Sequence, residues 1–267
     1  MLFLLRIYKK IEFYVNYFLR LEADSKVLSI YRIVFSCVGF IYAYNNILHI
    51  DLMTIGFESH YNIKVYHIAN YCLLLSLFLI NMGKAVILFK IIHWLLAAYI
   101  INNGFVYTVE NYLYLLSAFW IIFVNINSHY NILRQNNASK KVKAWPVYFF
   151  FMSLAGNFIS SGLSKLLDPI WLHGLGIKYF FSLGWALINV PNSISIPDSL
   201  FTFTNYCVIL FEISILLFFL IAKLRKISIA MVFTFFSLLT FPFRLDMIGP
   251  IGLSMCICFT SITRFKK

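Results

Sequence analysis

Apolar runs long enough to cross a bilayer follow one another along almost the whole chain, and no other feature limits its folding choices as sharply. A spanning helix needs about 20 mostly apolar residues. Charges, prolines and Asn clusters delimit such runs near 27–48, 65–82, 85–103, 108–127, 146–166, 199–222, 227–243 and 247–263. Soluble chains are about 45–50% apolar and about 25% charged. Here 61% of 267 residues are hydrophobic and 12% charged, with a mean hydropathy of +0.83. One aqueous core cannot absorb that much apolar surface. The expected fold is all-α, a polytopic integral membrane helical bundle of about eight transmembrane helices.

The net charge of +12, from 22 Lys and Arg against 10 Asp and Glu, would raise the question of nucleic acid in a soluble chain. In a bundle it reports sidedness, because basic residues collect on the cytoplasmic side. With the N-terminus inside, the inner segments hold Arg6, Lys9, Lys10, Arg20, Lys26, Lys84, Arg134, Lys140, Lys141, Lys143, Lys223, Arg225, Lys226, Arg264, Lys266 and Lys267. The outer segments hold Lys64, Lys165, Lys178 and Arg244. The expected location is the plasma (inner) membrane, multi-pass, with both termini cytoplasmic; the lipid bilayer is the partner and nucleic acid is not.

The stretch 171–190 is also apolar, but it carries His173, Gly174, Gly176, Lys178 and Gly184. Letting it span would invert everything after it and put six basic residues on the wrong side, so it is expected to be a re-entrant or interfacial helix on the outer face. Residues 1–24 form a separate region. Leu4, Leu5, Ile7, Ile11, Tyr14, Val15 and Phe18 recur at helical spacing against Arg6, Lys9, Lys10 and Arg20, which predicts a basic amphipathic interfacial helix ahead of the transmembrane domain at 25–267. That N-terminus has no uninterrupted apolar core with a small-residue cleavage site, so a cleaved signal peptide is not expected. The polar loop from Asn125 to Lys143 divides the bundle into halves. The five cysteines, Cys37, Cys72, Cys207, Cys256 and Cys258, lie in apolar runs without CxxC or Cys/His spacing. They are expected to be buried free thiols, with no disulfide framework and no metal site.

Ionisable groups inside a membrane are expensive and therefore informative. Arg32, Lys90 and Glu212 fall within spans. Lys90 lies close enough to the inner end to snorkel, which favours a structural role, and His93 one turn on shares it. Arg32 lies about 9 Å, and Glu212 about 16 Å, above the inner ends of their spans, a difference an Arg side chain covers. An Arg32–Glu212 pair that fixes helix register is expected.

The fifth span is the most informative. Ser153, Asn157, Ser160, Ser161, Ser164, Lys165 and Asp168 recur at three- and four-residue steps, a polar stripe about 22 Å long. Two readings fit: close interhelical packing by small residues, or the wall of a polar cavity open to the outer face. The stripe ends in SGLSKLLDPIWLHGLGIKYF, which gathers Lys165, Asp168, Trp171 and His173. Desolvation there favours a neutral Lys165 amine able to act as a base, and Asp168 one turn on favours its protonated form. Beyond them, FPFRLDMIGPIG carries Arg244 and Asp246, a helix-breaking turn or a site for an anionic group. The candidates for proton transfer are Lys165, Asp168 and His173; those for substrate binding are Asn157, Ser161, Trp171, Arg244 and Asp246.

The segment with Gly162, Lys165, Leu166, Trp171 and Gly174 resembles the Gly-x-x-Lys-Leu motif, followed by Trp and Gly, of the HTTM (horizontally transferred transmembrane) domain family, which is related to the membrane domain of vitamin K-dependent gamma-carboxylase. YRIVF with Arg32, NNGFVYTVENYLYLL and FEISILL with Glu212 add weaker agreement, so that the resemblance covers roughly residues 25–263. It implies that Lys165 is a base, as the motif lysine is toward vitamin K hydroquinone, and that a quinone or hydroquinone is the cofactor to consider. Ser164 replaces a basic neighbour of the motif, and AMVFTFFSLL lacks a histidine common in the seventh span, so gamma-carboxylation itself is not expected. Small stand-alone members similar to SdpB, the membrane protein of bacterial sporulation-delaying toxin systems, are nearer. They imply maturation or modification of an exported peptide at the outer face, together with a small partner protein. The alternatives are a non-enzymatic peptide- or lipid-binding, immunity or transport component, and carboxylase-like quinol oxidation.

Overall fold

The computed structural model describes residues 21–54, 63–82, 87–103, 108–124, 126, 141–182, 197–221, 223–240 and 247–262. Among them are ten helices and two three-residue strands: β1 (Glu22–Asp24), α1 (Ser25–Thr54), α2 (Ile63–Asn81), α3 (Ile87–Asn102), α4 (Val109–Phe123), β2 (Lys141–Lys143), α5 (Trp145–Leu167), α6 (Pro169–Leu172), α7 (Leu175–Ser182), α8 (Asp198–Leu220), α9 (Arg225–Thr240) and α10 (Ile248–Thr260). The protein is a helical membrane protein in make-up. Among the described residues four stretches, Ser25–Leu48, Lys64–Asn81, Trp145–Leu167 and Asp198–Leu220, are long and apolar enough to cross a bilayer. Helices α3, α4, α9 and α10 coincide with the four other apolar runs but number 16, 15, 16 and 13 residues, short of the ~20 a full crossing needs. Ile68, Leu75, Leu210 and Phe203 are each at least 60% exposed, a surface suited to lipid and costly in water.

The chain forms two compact units. The first contains residues 1–150 and 257–267, the second residues 151–256. In the first, α1 to α4 pack in sequence order, around an aromatic core in which Phe35 stacks on Tyr114 and Phe150 meets Phe259 edge-on. Thr108 caps α4 by accepting from the Asn111 N–H, with Glu110 in the first turn complementing the helix dipole. In the second unit, α8 and α9 form a hairpin. Phe151 stacks on Phe219 at 3.6 Å, and Phe158, Phe211, Phe235 and Phe236 form a ring cluster.

A small β clip closes the first unit. β1 and β2 are antiparallel, Ala23 facing Val142, and a bridge joins Ala23 to Ile262. The Asp24 N–H donates to Ser261 O at 2.7 Å and the Ala144 N–H to Leu21 O at 2.8 Å. Ala23, Ser25, Ala144 and Ser261 are fully buried at this junction, where small side chains let the strands approach. The expected interfacial helix over 1–24 is thus corrected at its end, since residues 22–24 are strand: main-chain pairing with 141–143 and 262 outweighs local helix periodicity. Residues 1–20 lie outside the described residues.

Two other expectations change. Residues 171–182 form no single helix; they break at Gly174, whose φ of +78° is left-handed, and 183–190 lie outside the described residues. All five cysteines are free, but only Cys256 and Cys258 are buried, whereas Cys37, Cys72 and Cys207 are exposed. An apolar run predicts hydrophobic surroundings, and on the outside of a membrane helix lipid supplies those as well as protein does.

Candidate functional site

In the second unit, Lys165 on the last turn of α5 meets Glu212 in the middle of α8. Its Nζ lies 2.7 and 2.8 Å from Oε1 and Oε2 of the carboxylate and 2.6 Å from Oγ of Ser161, one turn back on the same helix. Ser161 in turn donates to Glu212 Oε1 at 3.3 Å. The ammonium sits over the Trp171 ring, 4.9 Å from its centroid, a cation–π contact. The Lys165 side chain is 17% exposed and that of Glu212 4%, so the carboxylate is sealed and the amine remains reachable.

Gly162 makes this meeting possible. A Cβ there would stand 2.9 Å from Ile213 Cγ1 and 3.1 Å from Glu212 Cβ. Without a side chain, α5 and α8 approach until the short Glu212 side chain reaches an amine three residues beyond the glycine. The spacing Gly162-x-x-Lys165 therefore has a mechanical cause: contact glycine and lysine lie on the same helix face.

The turn after α5 is built on α8. Asp168 caps α6, its Oδ1 accepting from the Ile170 N–H at 2.9 Å, with Pro169 in the first turn. Gly174 then reverses the chain against Thr202, whose Cα would lie 2.8 Å from a Cβ at that position. Asn205, fully buried, donates to Trp171 O at 3.2 Å and accepts from the Ile177 N–H at 2.9 Å. Tyr206 donates to Leu172 O at 3.1 Å. Thr202, Asn205, Tyr206 and Glu212 lie on neighbouring turns of one helix, so α8 both holds the elbow that carries Trp171 and supplies the carboxylate.

The expected residues separate accordingly. Lys165, Ser161 and Trp171 come together. The expected Arg32–Glu212 pair is replaced: Glu212 bonds Lys165 and Ser161, while Arg32 Nη1 donates to Ile126 O at 3.3 Å inside the first unit. Depth along a span does not fix rotation about its axis, and within the second unit α5 turns Lys165 toward Glu212. Asp168 uses a carboxylate oxygen as a helix cap instead of on Lys165. His173 caps the other end of α6 through its backbone, and its side chain points to the exposed surface. Asn157 donates to Ser153 O one turn back, at 2.8 Å. Ser160 and Ser164 are exposed, Ser164 bonding back to Ser160 O, so the stripe does not face protein along its whole length. Arg244 and Asp246 lie outside the described residues. Asn205 was not recognisable as a site residue, although its seven-residue distance from Glu212 places both on one face of α8. Among the described residues no group of three His, Cys, Asp or Glu could hold a metal ion.

The first unit buries a second set of polar groups. Lys90 Nζ donates to Val124 O at 3.0 Å, beside the Arg32 contact at Ile126, so two cations face carbonyls just past the C-terminal end of α4. There the helix dipole favours positive charge. His93 lies between Ser76 Oγ at 2.8 Å from Nδ1 and Tyr114 Oη at 3.3 Å from Nε2. Because Ser76 donates to Leu73 O, His93 Nδ1 is the donor to Ser76 and Nε2 the acceptor from Tyr114. All these partners are neutral and fixed, and they join four helices.

Family models, curated proteins and solved structures give no match to this chain.

Proposed function

We propose that this chain is an eight-span inner-membrane protein of the HTTM type, with both termini cytoplasmic, which matures or modifies an exported peptide at the outer face using Lys165 as a base. The observation that carries the reading is the Lys165–Glu212 contact at 2.7 Å beside Ser161 and Trp171. A lysine can serve as a base only after it gives up its proton, and a carboxylate in direct contact is a group that can take it. All three N–H directions of the ammonium are engaged, by Ser161 and by both oxygens of Glu212. Reaction at the amine therefore starts with proton transfer to Glu212.

The topology is supported by parity. β1, β2 and Ile262 are hydrogen-bonded neighbours, so they share one side of the membrane and the chain crosses an even number of times between them. Four apolar helices, α1 to α4, separate β1 from β2. Four continuous helices, α5, α8, α9 and α10, separate β2 from Ile262. With each of these crossing once, a further crossing by 171–190 would leave Ile262 opposite Ala23. This supports the reading of 171–190 as a re-entrant elbow.

The test is co-expression with any small exported peptide found to be encoded beside the gene, the released peptide being read by mass spectrometry. Wild type gives a mass-shifted or shortened product, and Lys165→Ala and Lys165→Arg give the unmodified peptide while the membrane protein stays folded. Arg keeps the charge but cannot act as a base at neutral pH. A second reading is favoured by the closed geometry of the pair: a non-enzymatic component in which the Lys165 ion pair only holds the elbow against α8. Unmodified product from Lys165→Ala but normal product from Lys165→Arg supports that reading and overturns the base.

A further inference from the structure

Hydroxyls inside helices ordinarily bond back to the carbonyl one turn earlier, where they are chemically idle. Ser29, Ser36, Ser164 and Thr204 all do this, at 2.8 to 2.9 Å from the carbonyl of residue i−4. Ser161 does not. Its oxygen accepts from Lys165 Nζ at 2.6 Å and its proton is directed at Glu212 Oε1 at 3.3 Å. A hydroxyl within hydrogen-bond reach of an amine, that amine being oriented by a third group, is the arrangement of an activated nucleophile. Here Glu212 is the third group, gripping Lys165 with both oxygens, and Trp171 covers the ammonium from another direction.

We infer that Ser161 is an acyl-accepting nucleophile and that the chain cleaves a peptide bond of its exported substrate through a Ser161–Lys165 dyad; the inference rests on the reading of Lys165 as a base. Lys165 first passes a proton to Glu212, leaving an amine lone pair on Ser161. Ser161 Oγ then bonds to the substrate carbonyl carbon, its proton moves to Lys165 Nζ, and the carbonyl π electrons move to oxygen. The C–N bond breaks as the tetrahedral intermediate collapses, and the leaving amine takes the proton from Lys165. Water attacks the resulting ester, gives one proton to Lys165, and releases the new carboxylic acid as Ser161 regains its hydrogen. The sum is one amide plus water giving one acid plus one amine.

The experiment uses the full chain in native membranes and a fluorophosphonate probe, which bonds covalently to activated serines without needing the natural substrate. The labelled residue is identified by peptide mass spectrometry. Ser161 is expected to carry the label, Ser161→Ala to lose it, and Lys165→Met to lower the labelling rate by about 10²-fold or more, in the range of general-base effects. Ser164→Ala keeps the wild-type rate. In ¹⁸O water the peptide product gains one heavy oxygen at its new C-terminal carboxylate. Absence of label on Ser161, label on Ser164 instead, or an unchanged rate in Lys165→Met overturns the nucleophile. If Ser161 takes no label while Lys165→Ala still abolishes peptide modification, the dyad falls and the wider proposal for Lys165 survives. If Lys165→Ala also leaves modification intact, both fall. A thermal melt of each variant separates loss of label from loss of fold.

Discussion

The two units each hold a lysine against other polar groups, and they treat it differently. In the first, Lys90 is 6% exposed and Arg32 1%, and their side chains donate to the main-chain carbonyls of Val124 and Ile126. In the second, Lys165 is 17% exposed and meets a carboxylate. A carbonyl can hold an ammonium but cannot take its proton, whereas a carboxylate can do both. The first arrangement staples the end of α4 to α1 and α3; the second sets the ammonium against a carboxylate and a hydroxyl. Intramembrane charge therefore marks a candidate for chemistry only once its partner is known.

The largest effect that separates the two lysines is on activity. Lys165→Ala should lower peptide modification by about 10²–10⁴-fold, and Lys90→Met should leave it within a factor of two, both measured as product per folded protein. A Lys90→Met protein that stays folded yet modifies no peptide would break the distinction. Next comes stability. Glu212→Ala strands the Lys165 ammonium and should cost about 3 kcal/mol, whereas replacing Lys90 with apolar Met removes a buried charge and should cost less. Thermal unfolding in detergent ranks them, and an equal loss would mean that both cations are staples.

Smaller effects sharpen the anatomy of the elbow. Gly174→Ala must hold a positive φ and push against Thr202, and should cost about 1–3 kcal/mol with slower labelling of Ser161. Asp168→Ala removes a helix cap and should cost about 1 kcal/mol, while Lys165 chemistry continues. His173→Ala, at an exposed position, should change stability by no more than about 0.5 kcal/mol and activity not at all. Activity lost in His173→Ala with an unchanged melt would restore that residue to the proton path.

Much of the fold could be read from periodicity and charge. The eight apolar runs coincide with α1–α5 and α8–α10, because a long, mostly apolar run is stable in lipid only as a helix with its backbone satisfied internally. The β clip was not legible: Glu22–Asp24 and Lys141–Lys143 alternate charged and apolar residues over only three positions each, too short to read as strands, and their pairing joins positions more than a hundred residues apart. At the site, Lys165, Ser161 and Trp171 could be singled out because helical spacing put the first two on one face and the break at Asp168–Pro169 brought the third back. Glu212 was visible as an intramembrane acid, but its partner was misassigned. Asn205 was invisible, since a lone Asn in an apolar helix carries no sign of which main-chain groups it will satisfy.

By itself, then, the sequence determined the solvent and the periodicity: a helical chain for lipid, its polar stripe along α5, and a lysine at the end of that stripe. These follow from residue types and from the 3.6-residue turn, which act locally. Only the tertiary structure decided which helix faces the stripe, because rotation about each helix axis is set by packing, here by the close approach that Gly162 allows. That rotation brought Glu212 rather than Asp168 to Lys165 and turned the Ser161 hydroxyl from its own backbone toward an amine and a carboxylate.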